Sequence, residues 1–300
     1  MKLLITGKNG QIGSELEKAL NKSLFEAIFL GRDELDICDK NHTVDVINNI
    51  KPEIIVNLAA FTDVKSSEKK IDKCFKVNSE AVLNIAKICK KKSILLIHIS
   101  TDYVFDGKKD GLYTEDDFTN PLNVYGKSKL QGEKNIINTL EKFIIIRTSW
   151  VFSSFGKNFL KTIIQSIKEN TKLVVVGDQV GGPTAAKNVA KIIFLFCNKY
   201  KLENKLEYGI YNYSNLPNVS WFEFAKEIVN KLKINDHLNL KKNLVLERSK
   251  TIATEIIQRP LNSKLSNLKI KKYLEIGEDY WTLSLDESLI ELNKKIFHDE

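Results

Sequence analysis

The chain has 300 residues, 43% of them hydrophobic, enough to bury a core as one large domain or two unequal ones. Its 46 Lys and Arg outnumber 38 Asp and Glu, and the formal net charge of +8 would favour anionic ligands such as phosphates, but heavy use of Lys, Asn and Ile with scarce Pro makes compositional bias on solvated faces the stronger reading of the excess. No basic run is interleaved with aromatics as a nucleic-acid groove requires, and no run of about 18 apolar residues offers a membrane span, so neither nucleic acid nor membrane is an expected partner.

The first apolar run, "KLLIT" (2–6), reads as a strand buried on both faces because it is continuous rather than alternating. Gly7-Lys8-Asn9-Gly10-Gln11-Ile12-Gly13 follows it and opens a helical pattern from Ile12 to Leu20. Glycines between a strand and a helix permit a tight turn and let backbone approach a pyrophosphate, while the helix amino terminus offers amides and positive dipole. The spacing is GxxGxxG, a variant of the dinucleotide fingerprint. A second strand, "EAIFL" (26–30), leads into "GRDELDI", where the usual ribose-binding acid at the strand end is missing. Arg32 stands there instead, and a guanidinium suits a 2′-phosphate, so NADPH is favoured with NADH as the alternative donor. Asp36, in "LDI" (35–37), falls where it can lie near the adenine.

A helix from Asn41 to Ile50, a strand "EIIVNLA" (53–59) and a long helix from Lys73 to Lys91 follow. The strand "SILLIHIS" (93–100) contains His98, read as a satisfied core residue rather than a base. Beyond its carboxyl end come Ser100, Thr101, Asp102 and Tyr103. In open α/β sheets that is where ligands bind, so Thr101 can donate to a substrate oxygen and Asp102 can hold a sugar hydroxyl. The same cluster also suits a turn or a helix cap. Next, a helix from Val124 to Leu140 carries Tyr125 and Lys129 in a YxxxK spacing. Residues i and i+4 share a helix face, so the Lys129 ammonium is expected near the Tyr125 hydroxyl, lowering its pKa and tuning the phenol as a general acid. A fifth strand, "FIIIRTS" (143–149), completes an alternation that argues for a doubly wound parallel sheet.

The second half mixes strands at 172–178 and 208–214 with helices from Thr184 to Lys199 and from Ser220 to Lys233, the latter opened by the capping box Ser220-Trp221-Phe222-Glu223. The expected layout is α/β: a Rossmann-like NAD(P)-binding domain over 1–172 and a smaller mixed α/β substrate-binding lobe over 173–300, with the 184–199 helix able to pack back on the first domain. The four cysteines show neither CxxC nor Cys/His ligand spacing, which predicts reduced thiols and no structural zinc. The apolar part of "MKLLITG" is too short for a signal peptide, and a cytoplasmic protein is expected.

The segments "GKNGQIGSEL", "NLAAFTDV", "STDYVFDG", "PLNVYGKSKLQGE", "RTSWVF" and "RPLNSKL" together resemble, in order and spacing, the dTDP-4-dehydrorhamnose reductases of the extended short-chain dehydrogenase/reductase superfamily. The resemblance runs from Met1 to about Leu292. It implies Tyr125 as catalytic acid, Lys129 as its pKa-lowering and nicotinamide-ribose partner, and Thr101 as the hydroxyl that orients the ketone. It further implies cofactor contacts at Gly7, Gly10, Gln11, Ile12, Gly13, Asp36, Ile37, Ala59 and Ala60, with Thr62 lining the nicotinamide and substrate site. Asp102 and Trp150 match sugar-contacting positions, while the amide of Asn158 and the guanidinium of Arg259 suit the nucleotide diphosphate. The implied reaction is hydride transfer from NAD(P)H to the C4 ketone of a dTDP-linked 4-keto sugar, dTDP-4-dehydro-6-deoxy-L-mannose, giving dTDP-L-rhamnose for cell-surface polysaccharide.

Some members hold Mg2+ through acidic side chains at a dimer contact. Lys187 stands here where those members have an acid, so no metal is expected even though Glu15 is present, and a homodimer stays open. Asp102-Tyr103 in place of Asp-Glu disfavours a dehydratase. A reductase of another nucleotide-linked 4-keto sugar, and a non-catalytic NADP-binding regulatory subunit like the methionine adenosyltransferase β subunit, remain alternatives.

Overall fold

The continuous apolar strands assemble into one parallel sheet. In the computed structural model, which describes residues 1–21, 23–234, 245–251 and 257–298, β1 (Lys2–Thr6), β2 (Glu26–Leu30), β3 (Ile54–Asn57), β4 (Leu95–Thr101) and β5 (Phe143–Thr148) pair in the order β2-β1-β3-β4-β5. A sixth strand, Gly209–Asn212, adds in parallel to β5, with Tyr211 opposite Ile146. Strand order reverses between β1 and β3, the place where open sheets leave a crevice at their carboxyl ends.

Both faces are covered. On one, Leu3, Ile5, Val56, Ile97 and Ile146 pack with Leu16 of helix α1 (Gln11–Leu20) and with Val189, Ile193 and Phe196 of the helix Ala186–Glu203. On the other, Leu4, Ile55, Leu96 and Ile145 meet Ile47 of α2 (Lys40–Ile50), Val82, Ile85 and Cys89 of Ala81–Lys92, and Ile136 of Val124–Ile137. Alternate residues of each strand thus serve opposite layers, which is why the runs are apolar throughout.

A separate core forms the smaller lobe. Phe152, Leu160, Phe224, Trp281 and Leu285 pack together there, supported by a short parallel ribbon of Lys172–Val176 with Val245–Ser249. Chain on both sides of residue 172 serves both cores: Leu160, Ile163 and Ile167 of the helix Phe159–Glu169 join the lobe, whereas the helix Ala186–Glu203 and strand Gly209–Asn212 belong to the sheet layer. The capping box is present: Ser220 Oγ accepts from Glu223 N at 3.1 Å and Glu223 Oε2 accepts from Ser220 N at 2.7 Å.

The long helix expected from Lys73 to Lys91 is interrupted. Ile71–Phe75 passes through a π turn, Lys76–Glu80, into Ala81–Lys92. The irregular turn carries Asn78 inward, where its amide bonds both backbone groups of Phe61 and the Ser128 hydroxyl. A π turn bulges the backbone, and here the bulge fixes the loop after β3 against the Tyr125 helix. Among the described residues, no helix is long and apolar enough to cross a membrane.

Candidate functional site

A cleft of about 680 Å³ opens at the carboxyl ends of β1, β3, β4 and β5. Its floor at one end is the turn after β1. Gly7 adopts φ +77, and a Cβ on Gly13 would lie 2.5 Å from the Gly7 carbonyl, so only glycine lets α1 start this close to the strand. Gly10 caps α1 without any side-chain acceptor, which leaves the first helical amides facing the cleft that Gly10, Gln11 and Ile12 also line. A helix start with free amides and positive dipole is a fitting seat for a pyrophosphate.

Arg32, Asp36 and Ile37 line the same end of the cleft, and Ala59, Ala60 and Thr62 border it after β3. Arg32 pairs with Asp36 at 3.4 Å on an open surface, with the guanidinium 68% exposed and free to swing. Asp36 itself is held below its usual pKa, first by the backbone amide of Cys38.

Toward the middle, Thr101, Asp102, Tyr125 and Lys129 converge on one wall. Asn123 caps the Tyr125 helix by accepting from Gly126 N at 2.9 Å. A Cβ on Gly126 would fall 2.2 Å from the Tyr103 carbonyl, so the glycine lets the helix lie directly on the turn after β4. Tyr125 and Tyr103 meet edge to face at 5.6 Å. The carboxylate of Glu133, one turn beyond Lys129, accepts from the Ser100 hydroxyl at 2.5 Å and from the forked Arg147 at 2.7 and 3.0 Å, tying helix, β4 and β5 together.

The expected Tyr125–Lys129 pairing is not how the site is wired. Burial drives the Tyr125 phenol above the ordinary tyrosine range; the Thr101 hydroxyl draws it down, and Asp102, Tyr103 and Cys74 push it up. Lys129 turns to the strand instead, donating to the Ile99 carbonyl at 2.6 Å and lying 3.2 Å from His98 Nε2. The strand offers two polar partners in a dry wall, and a buried amine takes them before a phenol on its own helix. Burial lowers Lys129 to about 8, against a rise from Glu133.

Two polar atoms on this wall have no partner: Asp102 Oδ2 and Thr148 Oγ1 are buried without a hydrogen bond. Burial lifts Asp102 to about 6, against the pull of the Thr101 hydroxyl, which donates to its other oxygen, Oδ1, at 3.0 Å. Orphaned buried acceptors and donors facing a cleft are suited to a polar ligand.

At the far end Trp150, in a left-handed conformation with φ 48, stacks on Trp221 at 3.5 Å. Asn158 lines the cleft, but its amide donates to Gln11 Oε1 at 2.9 Å and to Ser153 O at 2.8 Å while its oxygen caps the next helix. Arg259 stands exposed outside the cleft lining, its charge acting on the buried Tyr103 hydroxyl. Sequence reasoning missed Trp221 and Thr148. Thr148 ends β5, a position at the ligand edge of the sheet; Trp221 was visible only as the first residue of a helix in the other lobe. Elsewhere, Lys187 pairs with Glu287 and Glu15 faces Lys18.

A family model described as the RmlD substrate binding domain matches residues 1–294. The chain belongs to this family. Relatives of the RmlD family include the dTDP-4-dehydrorhamnose reductase of Aggregatibacter actinomycetemcomitans, 37% identical over 95% of this chain and 97% of the relative. That of Sinorhizobium fredii is 34% identical over 94% of each. Among solved structures, the dTDP-4-dehydrorhamnose reductase of Clostridium acetobutylicum superposes with a TM-score of 0.88 at 33% identity, covering 97% of this chain and 99% of that one. The Bacillus anthracis reductase, crystallised in complex with NADP, gives 0.85 at 32% identity with the same coverage.

Proposed function

We propose that this RmlD-family chain uses NADPH to reduce the C4 ketone of dTDP-4-dehydro-6-deoxy-L-mannose, giving dTDP-L-rhamnose, with Tyr125 as proton donor. The observation that carries this reading is the meeting, in one cleft, of a half-buried phenol, an adjoining threonine hydroxyl and two unpartnered polar atoms beside a glycine turn fit for a pyrophosphate. The names of the relatives and the NADP complex of the Bacillus anthracis protein support the same substrate class and cofactor.

NADPH, when bound, supplies the hydride. The α1 amino terminus and Gly10 would hold its pyrophosphate, and Arg32, released from Asp36, its 2′-phosphate. The elevated pKa keeps Tyr125 protonated at neutral pH, so the phenol can donate to the ketone oxygen as that oxygen gains charge. Thr101 sits beside the phenol to orient the same oxygen and to stabilise the phenolate left behind. Asp102 Oδ2 and Thr148 Oγ1 are the free groups for sugar hydroxyls. The Trp150–Trp221 stack closes the end of the cleft with apolar surface. No second carboxylate follows Asp102, where an elimination would need one.

Purified protein should oxidise NADPH faster than NADH when given dTDP-4-dehydro-6-deoxy-L-mannose made in situ. Tyr125→Phe should lose about 10²-fold or more in kcat with NADPH binding kept. Undiminished turnover in Tyr125→Phe would remove the phenol from the chemistry, and no turnover by the parent protein would remove the substrate.

A further inference from the structure

Gln11, the first residue of α1, serves two parts of the cleft at once. Its main chain belongs to the glycine turn suited to a pyrophosphate, whereas its side chain leaves that turn for segment 153–158, which joins the strand Val151–Phe152 to the helix Phe159–Glu169. Gln11 Nε2 donates to Val151 O at 3.3 Å, and Gln11 Oε1 accepts from Asn158 Nδ2 at 2.9 Å with the Ser153 hydroxyl at 3.2 Å. Gly156 packs against the stem of the same side chain. Its φ is +59, and a Cβ there would lie 3.3 Å from Gln11 Cγ.

Asn158 is spent on this arrangement. Its Nδ2 also donates to Ser153 O at 2.8 Å and Phe155 O at 3.1 Å, and its Oδ1 accepts from Lys161 N at 3.1 Å. An amide has two N–H groups, and three acceptors already surround them, so none is left for the diphosphate that the sequence suggested as its partner. The other cleft-lining residues of the segment are Gly156 and Lys157. Lys157 is exposed, and its ammonium makes no ion pair among the described residues.

We propose that Gln11 is a positioning residue whose side chain, through Asn158, latches segment 153–158 to the cofactor turn and so sets Lys157 on the substrate side of the cleft, toward the diphosphate of the nucleotide sugar. The identity of the two ligands rests on the function proposed above; the geometry of the latch does not. The resemblance implied Gln11 as a cofactor contact, and the commitments of its side chain leave that contact to its main chain. The segment does not hang on Gln11 alone. Ser154 Oγ donates to Glu291 Oε2 at 2.6 Å, Glu291 also pairs with Lys18, and Lys18 Nζ lies 4.3 Å from the centre of the Phe155 ring. Loss of the Gln11 amide therefore loosens the segment without unfolding the protein.

Two variants test the latch in the full-length protein. Gln11→Met keeps the stem and removes the amide; Asn158→Ser keeps a capping oxygen for the helix and removes the amide donors. Hydrogen exchange without ligand reads the segment directly, at the amides of Phe155 and Lys161, which bond the Ser153 and Asn158 side chains. Both should exchange about fivefold faster or more in Gln11→Met, with the amides of Leu95–Thr101 unchanged. In calorimetry each variant should bind dTDP about fivefold more weakly, with NADPH affinity within about twofold of the parent. The double variant should lose no more than either single one, because both remove the same link. Unchanged exchange in Gln11→Met, or losses that multiply in the double variant, would overturn the proposal. So would weakened NADPH binding with dTDP binding kept, which would make the side chain a cofactor contact. A parent protein that binds no dTDP would count against the substrate reading, while the exchange rates, which need no ligand, would still decide the latch.

Discussion

Asp102 shows how one side chain can carry a cost that a ligand relieves. Its carboxyl is buried, bonded at one oxygen and orphaned at the other, and burial raises its pKa from 3.8 to about 6. A carboxyl raised on folding leaves the folded state holding the extra proton, so its penalty is absent below pH 3.8 and fully present above about 6. Across that window the ionised form costs up to about 3 kcal/mol. Asp102→Asn should therefore raise stability in urea unfolding at pH 8 by up to that amount, with little gain at pH 4, while weakening substrate binding. An equal gain at both pH values, or a loss at pH 8, would show that the carboxylate is not strained. At this scale the sequence was a partial guide. Thr101, Asp102, Tyr125 and Lys129 were visible as chemistry placed after strands, and all four line one cleft. What could not be read was the wiring: helical spacing puts Lys129 on the Tyr125 side, but only the assembled strand shows that Ile99 O and His98 are the nearer partners. His98 was expected to be a satisfied core residue, and it is bonded at both ring nitrogens, one of them to the site lysine.

At the scale of elements, the helix Val124–Ile137 is held to the sheet by a fully buried ion pair, Glu133 with Arg147, each side chain at most 3% exposed. Such a pair adds little net stability over apolar residues, but breaking it leaves a guanidinium in a dry core. Glu133→Gln should cost about 3–5 kcal/mol in chemical denaturation, and the double replacement Glu133→Leu with Arg147→Met should recover most of that loss. A Glu133→Gln variant within 1 kcal/mol of the parent would mean that water reaches the pair. The five strands of the first half were legible because burial on both faces leaves no polar alternation to confuse the pattern. The π turn at Lys76–Glu80 was not, since its cause is tertiary: Asn78 is drawn in by Phe61 and Ser128, residues distant in the chain. Trp221 escaped notice for a similar reason, because a capping box announces a helix start without saying that its first ring will stack on Trp150.

For the whole molecule, two cores meet around one cleft, with a cofactor-type edge supplied by the sheet and a closing aromatic wall supplied partly by the lobe. The chain returns to the sheet late, through Gly209–Asn212 beside β5, and that return joins the lobe's segments to the strands carrying the reactive groups. A single boundary near 172 followed the change from alternating strands and helices to a mixed pattern; the strand at 208–214 was legible, whereas its pairing beside β5 is a tertiary fact that the local pattern does not carry. The central claim is that hydride passes across this cleft to a sugar ketone, and isotopic transfer tests it most directly. NADPH carrying deuterium at nicotinamide C4, prepared in both stereochemical forms, would be turned over with dTDP-4-dehydro-6-deoxy-L-mannose and the product read by NMR. The account predicts that one of the two forms delivers its deuterium to C4 of the sugar, yielding dTDP-L-rhamnose. Cofactor oxidation with no label at that carbon, or a product whose C4 hydrogen comes from solvent, would contradict it.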